Sequence, residues 1–70
     1  MALTKKSFSL SGHRTSVALE ADFWAALEQE AAREKQSLAG FVAAIDRNRG
    51  TRPLASALRL AALAATARRP

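Results

Sequence analysis

Residues 12–24, GHRTSVALEADFW, change their periodicity halfway along. The first half alternates with a period of two, which is typical of a strand buried on one face. The second half, from about Glu20, is acidic and predicts the first turn of a helix. The two sides of the strand are Thr15, Val17 and Leu19 on one and Arg14, Ser16 and Ala18 on the other. A lone strand leaves backbone donors and acceptors unpaired, so it requires a second strand.

Two partners are open to this strand. The segment SFSLS, residues 7–11, also alternates, with Phe8 and Leu10 on one face, so the two runs are able to form a hairpin. Gly12 and His13 would then be a two-residue loop of type II′. The alternative partner is the same strand of a second chain, with residues 1–12 as a basic N-terminal arm. Alternation alone leaves both alternatives open.

The rest of the chain has helical spacing of its apolar residues in three segments. Helix A is predicted over about 20–35, and helix B from residue 38 to a C-cap at Gly50, with Ser37 as its N-cap. A third helix is predicted over about 53–67, opened by Pro53. Leu60 and Leu63 fall outside its apolar stripe, which indicates a helix covered on more than one side.

Composition narrows the chemistry available to this chain. The 70 residues make one domain at most. The core of so small a domain is only marginally stable unless a disulfide, a metal ion or oligomerisation adds to it. There is no cysteine and one histidine, His13, which excludes a disulfide and the common metal sites, so no cofactor is expected. Oligomerisation is the remaining common source of additional stability. It predicts an obligate homodimer with no stable folded monomer.

Neither a membrane span nor an active site is indicated. Residues 54–67 are the longest weakly polar run, but they are too short to span and are interrupted by polar side chains. The N-terminus has no apolar signal segment, so we expect a cytoplasmic protein without a membrane partner. Ser11, His13 and Asp22 are the residue types of a catalytic triad, but nothing positions them together, so an enzyme is not expected.

Charge is divided along the chain. The net charge of +5 separates into +3 over residues 1–19, −4 over residues 20–34 and +6 over residues 35–70. Such a division favours a protein that docks on nucleic acid in one orientation, with an unbalanced solvated surface as the alternative. The cluster Arg47, Arg49 and Arg52 suits a phosphate backbone or a solvated loop equally well.

The polar side of the strand has the chemistry of base recognition. Arginine bonds bidentately to a guanine edge, serine donates or accepts, and alanine touches a thymine methyl. Arg14, Ser16 and Ala18 supply these groups in turn, although a solvent face explains them equally well. Ser37 begins a helix, where free N–H groups bind anions, and Lys35 precedes it. Ordinary capping also explains this serine.

The order of these elements resembles the ribbon-helix-helix family of DNA-binding proteins, of the Arc and methionine repressor type. The amino-acid sequence is most similar to a bacterial subfamily with a segment GHRTS-x-x-LE-x-x-FW-x-x-L, which is found here over residues 12–27. The similarity continues through SLAGFVAAID, residues 37–46, and LASALRLAAL, residues 54–63. It covers roughly residues 5–65. The alanine- and leucine-rich third helix resembles an extension found in the subfamily.

The resemblance implies a mostly α-helical fold with one short β-strand, an intertwined homodimer with an intermolecular two-stranded antiparallel ribbon, and an extra C-terminal helix. That ribbon would enter the major groove of double-stranded DNA. The implied base-reading residues are Arg14, Ser16 and Ala18. The expected phosphate contacts are Lys5, Lys6, His13, Lys35, Ser37 and Leu38. The implied dimer core is Thr15, Val17, Leu19, Phe23, Leu27, Phe41, Val42 and Ile45.

These expectations divide the chain and order its functions. Residues 1–12 are the arm, 13–50 the ribbon-helix-helix core, 51–67 the third helix for dimer or partner packing, and 68–70 a tail. The leading hypothesis is a sequence-specific transcriptional regulator, whose dimers would be able to assemble further on DNA. A second is an antitoxin or adaptor whose C-terminal helix binds a partner protein. A third is a helical interaction module without DNA binding, built on the hairpin.

Overall fold

The computed structural model describes residues 2–68 and contains a hairpin followed by three helices. Both strands have eight residues, and the helices have 13, 11 and 14. No helix among the described residues is long and apolar enough to cross a membrane. The elements are β1 (Leu3–Leu10), β2 (His13–Glu20), α1 (Ala21–Arg33), α2 (Leu38–Asn48) and α3 (Leu54–Ala67).

β2 pairs with β1 of the same chain. The antiparallel register runs from Leu3 opposite Glu20 to Leu10 opposite His13. The strand that was expected to pair with a second chain pairs here with the segment predicted as a basic arm, so the described residues contain two strands rather than one. The hairpin alternative is the one that the structure contains, and it pairs the inner edges of both strands within one chain.

The turn of the hairpin differs by one residue from the predicted loop. Its two central residues are Ser11 and Gly12, with φ of 51° and 81°. Two positive φ angles in a row define a type I′ turn, whose twist matches that of the flanking strands, whereas type II′ needs only the first. His13 is therefore the first residue of β2, and the predicted Gly12-His13 loop is wrong.

The inner face of the hairpin packs on the helices. Trp24 of α1 is 3 % exposed, and its Nε1 donates to the backbone oxygen of Thr4 at 2.8 Å. Its ring also lies 5.9 Å from that of Phe8, so one side chain joins α1 to β1 by a hydrogen bond and an aromatic contact. The buried core is Phe8, Leu10, Val17, Leu19, Trp24, Leu27, Ala31, Phe41, Val42, Leu58 and Ala62.

The residues predicted for the dimer core pack within a single chain. Five of the eight are buried there: Val17, Leu19, Leu27, Phe41 and Val42. The other three are partly exposed: Thr15, Phe23 and Ile45. The lone strand and the uncovered helical stripe were the reasons for expecting an obligate dimer. β1 supplies a partner for one edge of β2, but among the described residues the other edge of β2 is unpaired in this two-stranded sheet, and Leu60 and Leu63 of α3 are exposed.

The three predicted helices are present to within two residues at each end, although the C-cap of α2 is Arg49 rather than Gly50. The Ser37 hydroxyl accepts from the Gly40 N–H at 3.0 Å and caps α2. Gly50 follows α2 with a φ of 62°, a conformation that glycine adopts without strain. Lys35 takes the same left-handed conformation after α1, with a φ of 58°. Bonds from Lys35 N–H to Ala32 O and from Gln36 N–H to Ala31 O close a Schellman motif there.

α3 packs against α1 and α2 through its small residues. Leu58, Ala62 and Ala65 lie on its buried side. At its end, Arg68 Nη2 donates to the buried carboxylate of Glu30 at 3.0 Å. Of the predicted tail 68–70, Arg68 is thus held against α1, and residues 69–70 lie outside the described part of the chain.

Candidate nucleic-acid interface

The two strands expose one continuous side to solvent, which we call the outer face. Its members are the alternate side chains Lys5, Ser7 and Ser9 of β1 and Arg14, Ser16 and Ala18 of β2. The hairpin register places them in three rows, Lys5 opposite Ala18, Ser7 opposite Ser16, and Ser9 opposite Arg14. A fourth pair, Leu3 opposite Glu20, continues the same side to the end of the hairpin. All members of the three rows are exposed except Ala18, which is half-buried. The predicted base-reading residues thus lie together on one strand of a polar surface.

Hydrogen bonds between the strands order two of the three rows. The Oγ atoms of Ser7 and Ser16 are 2.9 Å apart, and one hydroxyl donates to the other. Arg14 Nη1 donates to Ser9 Oγ at 3.4 Å, at the long end of the range. Because these bonds use only part of each group's capacity, donors of Arg14 and the serine oxygens remain available to a ligand.

The outer face is positively charged. Lys5 and Arg14 are its ionisable members, and no acidic side chain belongs to its three rows. The nearest carboxylate along β2 is Glu20, which accepts from Arg59 Nη2 of α3 at 3.2 Å. Its own backbone N–H and the Arg59 guanidinium hold the pKa of Glu20 below its ordinary value. Glu20 is therefore an anion paired with α3, which leaves the two outer-face cations without a carboxylate in their rows.

Lys6 lies on the other side of the hairpin. Its Nζ is 3.8 Å from a carboxylate oxygen of Glu28 and 5.8 Å from the centroid of the Trp24 ring. Alternation along β1 therefore separates the two adjacent lysines, so that Lys5 lies on the outer face and Lys6 packs over α1. The structure does not bring Lys6 together with Arg14.

His13 also lies apart from the outer face. It begins β2 and shares the inner side with Thr15, although its own side chain is exposed. It borders a depression at the turn of the hairpin, together with Asp46 of α2 and Arg49, the C-cap of that helix. Arg49 Nε donates to Asp46 Oδ1 at 2.7 Å, which neutralises one of the cations in the predicted arginine cluster.

The predicted phosphate contacts around α2 form a separate group. Lys35 lies in the α1–α2 loop, Ser37 caps α2, and Leu38 is the half-buried first residue of that helix. The last turn of α2 borders the hairpin turn, and Ser37 is at the opposite end of the helix, about 16 Å along its axis. A single chain therefore presents an outer face and, apart from it, a helix N-terminus.

Two outer-face residues were missed by the sequence reasoning. Ser7 and Ser9 belong to β1, and they alternate with Phe8 and Leu10, whose common face was recognised. The same alternation contained the signal for the serines. Without knowing that β1 pairs with β2, nothing in the sequence assigned them to the surface that carries Arg14.

Comparison with known proteins agrees with this architecture. A family model described as a ribbon-helix-helix domain matches residues 3–66, nearly the whole chain. No significant match was found among curated proteins or among solved structures. Among the described residues, no group of three or more histidine, cysteine, aspartate or glutamate side chains is arranged to hold a metal ion.

Proposed function

The chain belongs to the ribbon-helix-helix family, a family of DNA-binding regulators, and we propose on this basis that it is a sequence-specific transcriptional regulator. The members of this family are generally regulators rather than enzymes. In our proposal the hairpin enters the major groove of double-stranded DNA with its outer face toward the bases. The groove is about 12 Å wide and admits a two-stranded ribbon.

The observation that supports this proposal is the chemistry of the outer face. Its three rows carry two cations and three serines on a hairpin whose inner face is fixed to the core by Trp24, and Glu20, the carboxylate at the end of the same side, is paired with Arg59. A rigid polar ribbon of this kind suits base reading, because donors and acceptors held in place lose little conformational freedom on binding.

Each predicted site residue has a role in this proposal. Arg14 reads a guanine edge, Ser16 bonds to a base, and Ala18 makes an apolar contact. Lys5 contacts a phosphate beside the groove, and the N-terminus of α2 provides a second phosphate contact away from the outer face. Further contacts would come from His13, Lys35, Ser37 and Leu38. Lys6 would have to leave Glu28 to make one.

Arg14→Ala tests the reader assignment. We expect specific binding to weaken by about 1–3 kcal/mol and preference at the contacted base to relax. The midpoint of thermal unfolding should change little, because Arg14 is exposed and bonds only to Ser9. Binding is measured by fluorescence anisotropy on duplex DNA over a range of salt concentrations. The slope of log affinity against log salt concentration falls in magnitude by about one for each phosphate-neutralising cation that is lost.

Arg47→Ala is the matched control, because it removes an exposed arginine from α2 rather than from the hairpin. It should retain the sequence preference that Arg14→Ala relaxes. Unchanged affinity and preference in Arg14→Ala would remove this arginine from the site. Failure of the unmodified protein to bind random duplex at low salt would favour the module without DNA binding.

We also propose that two chains associate and that α3 contributes to their interface. Leu60 and Leu63 are 45 % and 63 % exposed, although leucine is the kind of side chain that interfaces bury. Exposed Ala64 and Ala67 continue the surface at helical spacing, and we call these four residues the α3 stripe. Members of the family are associated with dimerisation, which favours a second copy as the occupant.

Sedimentation velocity over micromolar concentrations tests this assembly. The unmodified protein should form dimers, and a Leu60→Gln, Leu63→Gln double variant should be a folded monomer. Leu3→Gln is the control, because Leu3 is also large and 52 % exposed but lies on the hairpin. A folded monomer at every concentration would exclude the dimer. It would favour the second candidate, an adaptor whose α3 stripe binds another protein.

A further inference from the structure

We propose that the depression at the turn of the hairpin binds a small zwitterion, of the class of the free aliphatic α-amino acids. The depression lies on the inner side of the hairpin, so it is separate from the outer face. It is lined from three places: the turn of the hairpin, the C-terminal end of α2 and the first residue of α3. The inference goes beyond the proposed function, because this site binds its ligand in the absence of DNA.

The size of the depression suits a small molecule. Its volume is about 410 Å³. Ligand pockets in proteins commonly measure roughly 300–1,000 Å³, and they combine apolar walls with a few polar groups that point to one place. The depression has both kinds of lining, since leucine side chains, hydroxyls and one pair of opposite charges border it.

The charged part of the lining is an arginine–aspartate pair held in one geometry. Arg49 Nε donates to Asp46 Oδ1 at 2.7 Å, and Arg49 Nη1 donates to the backbone oxygen of Arg52, also at 2.7 Å. Two bonds from different nitrogens fix the plane of the guanidinium. The side chains of Asp46 and Arg49 are only 16 % and 33 % exposed, so water screens their charges less than it screens those of an exposed pair.

This pair retains hydrogen-bonding capacity of both signs. A guanidinium has five N–H donors, and two of those of Arg49 are used in the bonds just described. A carboxylate accepts at two oxygens, and among the described residues one side-chain donor, Arg49 Nε, bonds to that of Asp46. A ligand carboxylate therefore binds to Arg49, and a ligand ammonium binds to Asp46.

The adjacency of the two charges selects a zwitterion over a simple ion. An anion drawn to Arg49 meets the carboxylate of Asp46, and a cation drawn to Asp46 meets the guanidinium, and like charges placed side by side oppose binding. An α-amino acid carries its carboxylate and its ammonium on one carbon atom, so each meets an opposite charge. Because the two protein groups already position each other, little conformational freedom is lost on binding.

The remaining lining favours an aliphatic side chain on the ligand. Leu10, the last residue of β1, and Leu54, the half-buried first residue of α3, form an apolar wall. An aliphatic group that packs against them leaves water, which favours binding. The hydroxyls of Ser11 and Thr15 border the hairpin side of the depression and offer further donors to the ligand carboxylate.

A ligand in this position joins the hairpin to α2. It contacts the turn on one side and the Asp46–Arg49 pair on the other, so it holds together two elements that are distant in the sequence. A molecule that binds only the folded chain raises its stability. Where the hairpin binds DNA, the ligand also changes the affinity for DNA, and that consequence alone rests on the proposed function.

Isothermal titration calorimetry without DNA tests the site, with L-leucine, L-isoleucine and L-valine as probes. We expect saturable binding of one molecule per chain for at least one of them at millimolar concentrations. Two analogues of L-leucine are the controls: 4-methylpentanoate lacks the ammonium, and 3-methylbutylamine lacks the carboxylate. Each should bind at least about 10-fold more weakly than L-leucine, the loss expected for one hydrogen bond to a charged group.

Substitutions assign the binding to the depression. Asp46→Asn removes the charge that meets the ligand ammonium and should weaken binding at least about 10-fold. Thr15→Val keeps the shape of a strand residue without its hydroxyl and should lose about 2- to 10-fold, the range of one neutral hydrogen bond. Arg47→Ala is the matched control, because this neighbouring arginine is exposed on α2 outside the lining. Circular dichroism melting confirms that each variant is folded.

The outcomes distinguish this inference from the proposed function. Absence of binding by all three amino acids would overturn it, and equal affinity for 3-methylbutylamine or 4-methylpentanoate would exclude the zwitterion. Binding that Asp46→Asn and Thr15→Val leave unchanged would place the ligand elsewhere. A protein that binds L-leucine but no duplex DNA retains this site and loses the proposed function, whereas a protein that binds duplex DNA but none of the amino acids does the reverse.

Discussion

The hairpin and α3 both cover the α1–α2 pair, but they leave opposite chemistry on their exposed sides. The outer face of the hairpin is polar and cationic, with cross-strand hydrogen bonds between its side chains. The α3 stripe is uncharged and contains Leu60 and Leu63, two of the large hydrophobic residues exposed in the described chain. Two covers of one core thus present surfaces for different kinds of partner.

The hairpin and α3 differ in which of their side chains contact the core. Strands alternate strictly, so the inner face of the hairpin keeps its large residues, including Phe8 and Val17, while its outer face is free to be polar. α3 contacts the core mainly through alanines around Leu58, which leaves its larger leucines outside. Fold stability therefore constrains the inner face of the hairpin strongly and the α3 stripe weakly.

Of the substitutions considered, Trp24→Ala should lower the free energy of unfolding most, because Trp24 holds the hairpin on the core. Loss of the buried indole removes its packing on Phe8 and its hydrogen bond to Thr4, and we expect unfolding free energy to fall by about 3–5 kcal/mol. Urea denaturation followed by far-UV circular dichroism measures the change. Leu63→Ala on the α3 stripe should cost less than about 0.5 kcal/mol. Equal losses in the two variants would contradict the anchoring role of Trp24.

Ser11→Asn should stabilise the hairpin turn without changing α3. Ser11 has a φ of 51°, and asparagine tolerates this left-handed region better than serine at the first position of a type I′ turn. We expect a gain of about 0.5 kcal/mol, a fraction of the roughly 1–2 kcal/mol that the left-handed conformation costs most L-residues. Chemical denaturation measures it. A loss of stability would show that the turn in solution is not of this type.

The smallest expected effect concerns the ion pair between Glu20 of the hairpin and Arg59 of α3. Because folding lowers the pKa of Glu20, the contribution of this carboxylate to stability is complete above the ordinary value of 4.5 and is lost as pH falls through the lowered pKa. Thermal melts at pH 7 and in the acid range should show less acid destabilisation in Glu20→Gln than in the unmodified protein. Glu34→Gln, at the exposed end of α1, is the control. Identical acid sensitivity in Glu20→Gln and the unmodified protein would contradict this link.

Local rules in the sequence predicted the helices well. Apolar spacing and capping are properties of neighbouring residues. Ser37 caps α2 as predicted, and Gly50 has its positive φ one residue beyond the actual C-cap, Arg49. Family membership was also accessible from the order of elements and the segment 12–27, and it is confirmed by the family model. These features required no knowledge of which distant segments meet.

The pairing of β2 was not predictable in the same way. Alternation satisfies an intrachain hairpin and an interchain ribbon equally, because both bury the same side of the strand. The contact that fixes β1, from Trp24 Nε1 to the backbone oxygen of Thr4, spans 20 residues and leaves no pattern in the sequence. For the same reason the sequence located Arg14 and Ser16 on one face but did not add Ser7 and Ser9 to it.

An NMR titration of the ¹⁵N-labelled protein with duplex DNA tests the outer face as the binding surface most directly. We predict that amide shifts on adding DNA are concentrated at residues 5–9 and 14–18, with further changes near residues 35–38. Residues 60–67 of α3 should be unaffected. Shifts concentrated on α3, with the hairpin amides unchanged, would contradict the assignment of the outer face to DNA.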